Sequence, residues 1–254
     1  MGKVYIIGCG PGDPDLLTVK AVRAIKNLDI ALVDHLISEE ILELIPPGVK
    51  IIYVGKQKGK HSVKQEEINR FMYEFAKENL VVGRLKGGDP YVFGRGGEEL
   101  IYLKSKGIDV EIIPGITSAL STGIPVTFRE FSSSFSVVSA HIKGNKFNKN
   151  WIELLKIPNH TTIVLMGLSR VKEIKEEAIR QNIDLEIPTA IISNISRKNQ
   201  KVVTGTLRDI EKIAQLVETP AIIMFGEVVK LCHKFADIED LIRNQPYILM
   251  NLNH

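Results

Sequence analysis

The chain has 254 residues, 44% of them hydrophobic and 25% charged, which is typical of a folded globular protein and excludes a wholly disordered one. Its 33 Lys and Arg nearly balance 30 Asp and Glu, so the net charge of +3 predicts no nucleic-acid partner. No apolar run reaches the roughly 18 residues of a membrane-spanning helix, and the sequence has neither a signal-peptide pattern nor a cysteine framework, so we expect a cytoplasmic protein without a membrane partner.

The first half of the sequence alternates short apolar runs with amphipathic segments. Apolar residues recur at helical spacing from Leu17 to Leu28, and two further helices are predicted over 65–79 and 98–106. Alternation of this kind predicts a mostly parallel sheet with helices on both faces, which binds ligands at the carboxyl ends of its strands. The predicted strands are Val4–Ile7, Ile30–Val33, Ile51–Val54, Val81–Leu85 and Val110–Ile113.

The pattern breaks at residues 128–134, and we place a domain boundary there. The prediction is an N-terminal domain of residues 1–127, a C-terminal domain of residues 128–235 and a polar tail of residues 236–254. The predicted fold class is α/β, with two α/β domains built on mostly parallel or mixed sheets. In the second half, strands are predicted near 135–140, 162–166, 189–193, 201–204 and 221–225, and helices near 170–181 and 207–216.

The first predicted strand ends in a glycine-rich turn, Gly8-Cys9-Gly10-Pro11-Gly12-Asp13. Its spacing is G-x-G-x-G instead of the G-x-G-x-x-G of dinucleotide-binding proteins, and Pro11 removes a backbone N–H where a pyrophosphate needs donors. Asp34 ends the second strand, where a Rossmann protein holds its ribose-binding acid. The pattern thus favours a ligand without phosphates but leaves an NAD-dependent dehydrogenase open.

A second glycine-rich segment is the strongest signal in the sequence, with five glycines in the eleven residues from Gly87 to Gly97. Glycine lets a backbone approach a ligand closely and adopt positive φ. Asp89 within this segment could pair with a cation such as the ammonium of a methionine moiety. Further along, Thr117 and Ser118 offer hydroxyls near a helix start, although simple N-capping explains them nearly as well.

A basic run from Lys56 to His61 follows the third predicted strand. Such a run is usually a solvated loop, but its position after a strand end would also let Lys56 face a polyanion. None of the six histidines has the spacing of a metal site, so no metal is expected.

Taken in order, these motifs resemble the tetrapyrrole methylase family over about residues 3–231. The resemblance implies two α/β domains with a cofactor cleft between them, a homodimer, S-adenosylmethionine as methyl donor and S-adenosylhomocysteine as product. It rests on Gly8–Pro14, Val54–Lys56, His61–Val63, Gln65–Asn69, Arg84–Pro90, Phe93–Glu99, Pro114–Ser118, Gly123–Pro125, Met166–Leu168 and Gly226–Val229.

Within the family, the segment around Lys56 and His61–Asn69 is similar to the members that methylate uroporphyrinogen III twice, at C2 and C7, to give precorrin-2. Asp34 and Lys56 match the family's proposed proton acceptor and donor. Because the tetrapyrrole is a polycarboxylate, Lys58, Arg95 and Arg129 are expected to bind the substrate. Cofactor contacts are implied at Pro11, Gly87, Gly88, Asp89, Val92, Thr117, Ser118, Met166, Ile195 and Ala221.

Three departures from the family pattern keep other functions under consideration. Only Ala119–Thr122 separate the Thr-Ser pair from Gly123-Ile124-Pro125, Phe128 occupies the position of a usual His, and Ile195 that of a common Gly. The alternatives are a later precorrin or cobalt-precorrin methyltransferase, an NAD-dependent dehydrogenase, and a degenerate protein that binds a tetrapyrrole without turnover.

Overall fold

A computed structural model describes residues 2–55, 63–232 and 248–251. The chain divides into two compact units, Met1–Thr117 and Ser118–His254, each built from helices and strands, so the predicted α/β fold class is confirmed. Residues 118–127 belong to the second unit because Ala119 and Ile124 are buried in its core. Among the described residues, no helix is long and apolar enough to cross a membrane.

The first unit is a five-stranded parallel sheet in the order β3-β2-β4-β1-β5. β2 and β4 are buried along their whole length, as expected for strands covered on both faces. The strands are β1 (Lys3–Gly8), β2 (Ile30–Val33), β3 (Lys50–Tyr53), β4 (Val82–Lys86) and β5 (Asp109–Ile113), and the helices are α1 (Val19–Ile25), α2 (Glu39–Leu42), α3 (Gln65–Lys77) and α4 (Gly96–Ser105).

The helices of the first unit form two layers on opposite faces of the sheet. α1 and α2 pack on one face, where Ala21, Ile25 and Ile41 join the core, and α3 and α4 pack on the other, where Met72 and Leu103 are buried. The connections that leave β1 and β4 therefore cross opposite faces, as right-handed crossovers in opposite directions require. The carboxyl ends of these adjacent strands are where such sheets bind ligands.

The second unit is a six-stranded mixed sheet in the order β13-β11-β10-β12-β9-β6. The central strands β9, β12, β10 and β11 are antiparallel to their neighbours, whereas β6 and β13 pair in parallel at the edges. Its elements are β6 (Ser134–Ser139), β7 (His141–Ile142), β8 (Lys146–Phe147), β9 (His160–Leu165), α5 (Val171–Arg180), β10 (Pro188–Ser193), β11 (Lys201–Thr206), α6 (Ile210–Ala214), β12 (Ala221–Phe225) and β13 (Ile248–Asn251).

The strands predicted in both halves of the sequence are confirmed, with ends that differ by a residue or two. The helix predicted over 207–216 is instead a 3₁₀ turn, Leu207–Asp209, followed by the short α6. Helix α2, the β7–β8 hairpin and β13 were not predicted. Each is too short to display a hydrophobic period.

Candidate functional site

The loops after β1 and β4 are joined by a two-way backbone bridge. The Gly88 N–H donates to the Gly10 carbonyl at 2.8 Å, and the Gly10 N–H donates to the Gly88 carbonyl at 3.2 Å. Both residues have φ of +68°, a conformation that glycine adopts without strain. The glycine-rich turns singled out in the sequence are thus parts of one structure at the carboxyl edge of the sheet.

A third glycine, Gly115 after β5, packs directly against this bridge. A Cβ on Gly115 would lie 2.3 Å from the Gly88 carbonyl oxygen and 2.6 Å from the carbonyl carbon of Gly8. Only a residue without a side chain fits there, so three adjacent strand ends meet backbone to backbone. Asp89 fastens the same junction, because its Oδ1 accepts from the Tyr91 N–H at 2.8 Å and its Oδ2 from the Gly115 N–H at 3.0 Å.

Charged side chains are buried beneath these loops, on the face of the sheet covered by α3 and α4. The Arg84 side chain is only 3% exposed, and its Nη2 donates to Asp34 Oδ1 at 2.7 Å while its Nε donates to Glu99 Oε1 at 3.1 Å. Arg84 also donates to the carbonyls of Leu32 at 3.5 Å and Leu85 at 3.2 Å. The guanidinium is therefore held on several sides by the fold.

Glu99 is the centre of this charge cluster and is fully buried. Its Oε1 accepts from Arg84, from Lys86 Nζ at 3.2 Å and from Gln65 Nε2 at 2.9 Å, whereas its Oε2 has no hydrogen-bond partner among the described residues. Burial and the charge of Arg84 lower the pKa of Lys86. Burial opposes the charge of Arg84, but the carboxylates of Asp34 and Glu99 outweigh it and raise the pKa of Arg84.

The cluster members Arg84, Lys86, Glu99 and Gln65 were not predicted as site residues. A signal for them exists in the sequence, because Arg84 and Lys86 alternate with apolar residues in a strand that is otherwise buried. Residues two apart in a strand share a face, and buried cations require a buried anion. The anion itself, on a helix further along the chain, could not be identified from the strand alone.

Most of the site residues predicted in the first unit lie at this one edge of the sheet. Asp34 directly follows β2 and is partly exposed, and its backbone N–H donates to the Leu85 carbonyl on β4 at 3.1 Å. The rest lie on or next to the joined loops or just after β5, and are Pro11, Gly87, Gly88, Asp89, Val92 and Thr117.

The basic residues expected to bind substrate are less well defined. Arg95 is exposed, caps α4 in a left-handed conformation with φ of +62° and pairs with Glu98 at 2.5 Å. Arg129 is exposed in a turn of the second unit. Lys56 and Lys58, like His61, lie outside the described residues.

In the second unit, three predicted cofactor residues lie at one edge of the sheet. Met166 follows β9, Ile195 follows β10, and Ala221 begins β12, which is antiparallel to both. Met166 is half exposed with φ of +59°, whereas the side chain of Ile195 is buried in the core, so that its backbone is the part open to a ligand. Ser118 begins a 3₁₀ turn elsewhere in this unit.

The turn after β1 is poorly suited to a pyrophosphate. The Cys9 N–H donates to the Lys86 carbonyl at 2.8 Å, the Gly10 N–H donates to Gly88, and Pro11 has no N–H, so the donors that a phosphate needs are engaged or missing. Asp34 is paired with Arg84, as a ribose-binding carboxylate need not be. These groups fit a nucleoside ligand without phosphates. In the part of the chain that the structure describes, no cluster of His, Cys, Asp or Glu could hold a metal ion.

Residues 3–211 match the family described as Tetrapyrrole (Corrin/Porphyrin) Methylases. A protein of Methanocaldococcus jannaschii named Uroporphyrinogen-III C-methyltransferase is 46% identical over 237 residues, which cover 91% of this chain and 98% of the relative. A protein of Actinobacillus pleuropneumoniae named Siroheme synthase is 43% identical over 235 residues, and there the match spans only 48% of the relative's length.

Solved structures show the same similarity. The native Uroporphyrin III C-methyl transferase of Thermus thermophilus has 39% sequence identity and a TM-score of 0.80, over 91% of this chain and 100% of that one. A structure of the Thermus thermophilus enzyme complexed with S-adenyl homocysteine has 37% identity and a TM-score of 0.79, over 91% of this chain and 94% of that one.

The buried charge cluster yields a first prediction. Glu99→Gln leaves the cations of Arg84 and Lys86 buried with a single carboxylate partner, and breaking a buried ion pair in this way costs roughly 3–5 kcal/mol. We expect that loss in the free energy of unfolding measured with denaturant. The neighbouring Glu98→Gln is the control, since its exposed pair with Arg95 should contribute at most about 1 kcal/mol. Equal effects of the two substitutions would contradict this account of the cluster.

The glycine junction yields a second prediction. Gly115→Ala drives a methyl group into two backbones, and overpacking of this kind costs roughly 1–3 kcal/mol of stability. Gly97→Ala is the matched control, because the nearest atom to its Cβ would be Tyr91 Cε1 at 4.0 Å and the residue is helical. Denaturant unfolding should show Gly97→Ala at or above wild-type stability, and a Gly115→Ala variant of unchanged stability would show that the junction can open.

Proposed function

The chain belongs to the tetrapyrrole methylase family, and we propose that it transfers methyl groups from S-adenosylmethionine to C2 and C7 of uroporphyrinogen III to give precorrin-2. The observation that carries the proposal is similarity over nearly the whole of both chains to proteins named as methyltransferases of that substrate. The complex of the Thermus thermophilus relative with the demethylated cofactor supports S-adenosylmethionine as the donor.

We propose that the cofactor is held by Gly87, Gly88 and Asp89 on the loop after β4, together with the other residues that the family resemblance indicates. S-adenosylmethionine, when bound, supplies an electrophilic methyl group on a sulfonium sulfur. The residues of this chain would bind and orient the two reactants, and correct positioning alone accounts for much of the rate of such a displacement. A junction fixed by the Gly10–Gly88 bridge is suited to that task.

Asp34 is the proposed proton acceptor. Methylation of a ring carbon leaves a proton to be removed as the macrocycle regains its conjugation, and a carboxylate at the ligand-binding edge of the sheet can take it. Asp34 has this position, and its side chain is 24% exposed while its Oδ1 is anchored on Arg84. Lys56 is the proposed donor, and Lys58, Arg95 and Arg129 are proposed to bind substrate carboxylates.

We further propose that the protein works in the cytoplasm as a homodimer. Cys9 and Cys232 are both free and buried, and burial raises the pKa of each thiol to about 12, so neither is poised for disulfide chemistry. Free thiols suit a reducing compartment. The dimer is supported by the family resemblance.

Two measurements test the activity. S-adenosylhomocysteine should raise the melting temperature, since a ligand of the native state stabilises it, whereas NAD should not. Incubation with S-adenosylmethionine and uroporphyrinogen III should add two methyl groups to the tetrapyrrole, detected by mass spectrometry. Stabilisation by NAD alone would favour a dehydrogenase, cofactor binding without product would favour a binding protein, and methylation confined to a later precorrin would favour a later methylase.

The proposed proton transfers are tested by substitution. Asp34→Asn and Lys56→Met should each lower turnover by roughly 10²–10⁴-fold, the usual contribution of a general acid or base. Affinity for S-adenosylhomocysteine and the melting temperature should stay close to wild type. Asp109→Asn is the control, because this exposed carboxylate lies at the opposite edge of the same sheet, paired with Lys3. Near-normal turnover by both variants would remove Asp34 and Lys56 from the mechanism.

A further inference from the structure

We propose that Arg84, Glu99 and Lys86 form a positioning network that fixes the Asp34 carboxylate for catalysis, although these three residues are too deeply buried to reach the substrate themselves. The inference rests on the proposed function, in which Asp34 accepts a proton. It assigns roles to side chains that lie outside the catalytic, cofactor and substrate sets named above.

The contacts run in one direction, from the interior to the edge of the sheet. Arg84, Lys86 and Glu99 have side chains that are 3%, 4% and 0% exposed, and Asp34 is the one charged member with substantial exposure, at 24%. Gln65 at the start of α3 donates to Glu99, Glu99 accepts from Arg84, and Arg84 donates to Asp34. Each member is thus held by the one beneath it, and only Asp34 faces outward.

The geometry of Arg84 leaves Asp34 little freedom. The planar guanidinium is bound at Nε by Glu99 and at Nη1 by the carbonyls of Leu32 and Leu85, so Nη2 has a fixed direction. Asp34 Oδ1 accepts from that Nη2 at 2.7 Å, whereas Oδ2 lies 4.0 Å from Lys86 Nζ. We infer that Oδ1 is the anchored oxygen and that Oδ2 receives the proton.

The charges of the network balance only while Asp34 is ionised. Arg84 and Lys86 reach it from β4 and Glu99 lies behind them on α4, so two cations face two carboxylates. Gln65 on α3 is uncharged, and the nearby Cys9 thiol on the β1 turn stays neutral, because burial raises its pKa to about 12. Protonation of Asp34 would leave an uncompensated positive charge in a buried site, which keeps the acceptor ready for its proton.

Stability alone gives little reason for such a cluster. Replacing a buried ion pair with apolar side chains of similar volume is often neutral or stabilising. The surroundings of Arg84 on this face are apolar, with Ile6, Leu32 and Val82 in the same core, so aliphatic residues would pack there equally well. Fixing the orientation of a carboxylate is a function that those residues could not perform.

A double-mutant cycle tests the proposal. Arg84→Lys keeps the positive charge but loses the planar fork, and a misplacement of the acceptor by about 1 Å can reduce kcat by roughly 10²-fold. S-adenosylhomocysteine affinity should be unchanged. In an Asp34→Asn background, Arg84→Lys should cause little further loss, because the group through which it acts is already gone. Arg180→Lys, in an exposed pair with Glu177 on α5, is the control and should leave kcat unchanged.

A pH profile supplies the readout that a merely structural role would not move. Arg84→Gln also removes the cation, and a carboxylate without its neighbouring cation holds a proton more readily, so the acidic limb of kcat/KM should shift to higher pH. If the Arg84 variants do not fold, Gln65→Met removes only the outermost donor to Glu99 and should lower kcat in the wild-type but not in the Asp34→Asn background.

Independent, multiplicative losses in the double variant, or an unchanged kcat in a folded single variant, would overturn the proposal. A wild-type protein that makes no methylated product would instead overturn the proposed function, so the two failures are distinguishable.

Discussion

The buried ion pair between Arg84 and Glu99 is the interaction on which the arrangement of the first unit depends. A guanidinium inside a protein must have its hydrogen bonds satisfied there, and Arg84 finds its partners on α4 and on the backbone of β2 and β4. The pair therefore fixes α4 against the sheet, and through Gln65 it fixes the start of α3 as well. The ends of β2 and β4 are set by the same contacts.

The second constraint is the meeting of three strand ends without side chains between them. Gly8, Gly88 and Gly115 lie so close that a Cβ on Gly8 or Gly115 would enter a neighbouring backbone. Both constraints meet in one short segment, Arg84-Leu85-Lys86-Gly87-Gly88-Asp89, which sends charges into the interior and glycines to the edge. A single strand and its loop thus set both the depth of the site and its rim.

The fold could be predicted where the physics is local, and the site where a motif marks it. Apolar runs gave the strands, and glycine spacing gave the turns that the Gly10–Gly88 bridge joins. The antiparallel order of the second sheet, the edge strand β13 and the assignment of residues 118–127 depend on distant pairings, such as Ala119 with Ile163, that no local pattern contains. Glu99 escaped for the same reason, since a charged residue near the start of a helix usually faces solvent.

The bridge between Gly10 and Gly88 has a consequence for how a ligand is received. Flexible loops lose conformational entropy when a ligand orders them, and that loss weakens binding. Here the two loops are ordered by each other's amides as the sheet forms. An arriving molecule meets a preorganised rim, so its affinity reflects the fit of its surface to the rim and is not reduced by any ordering of this bridge.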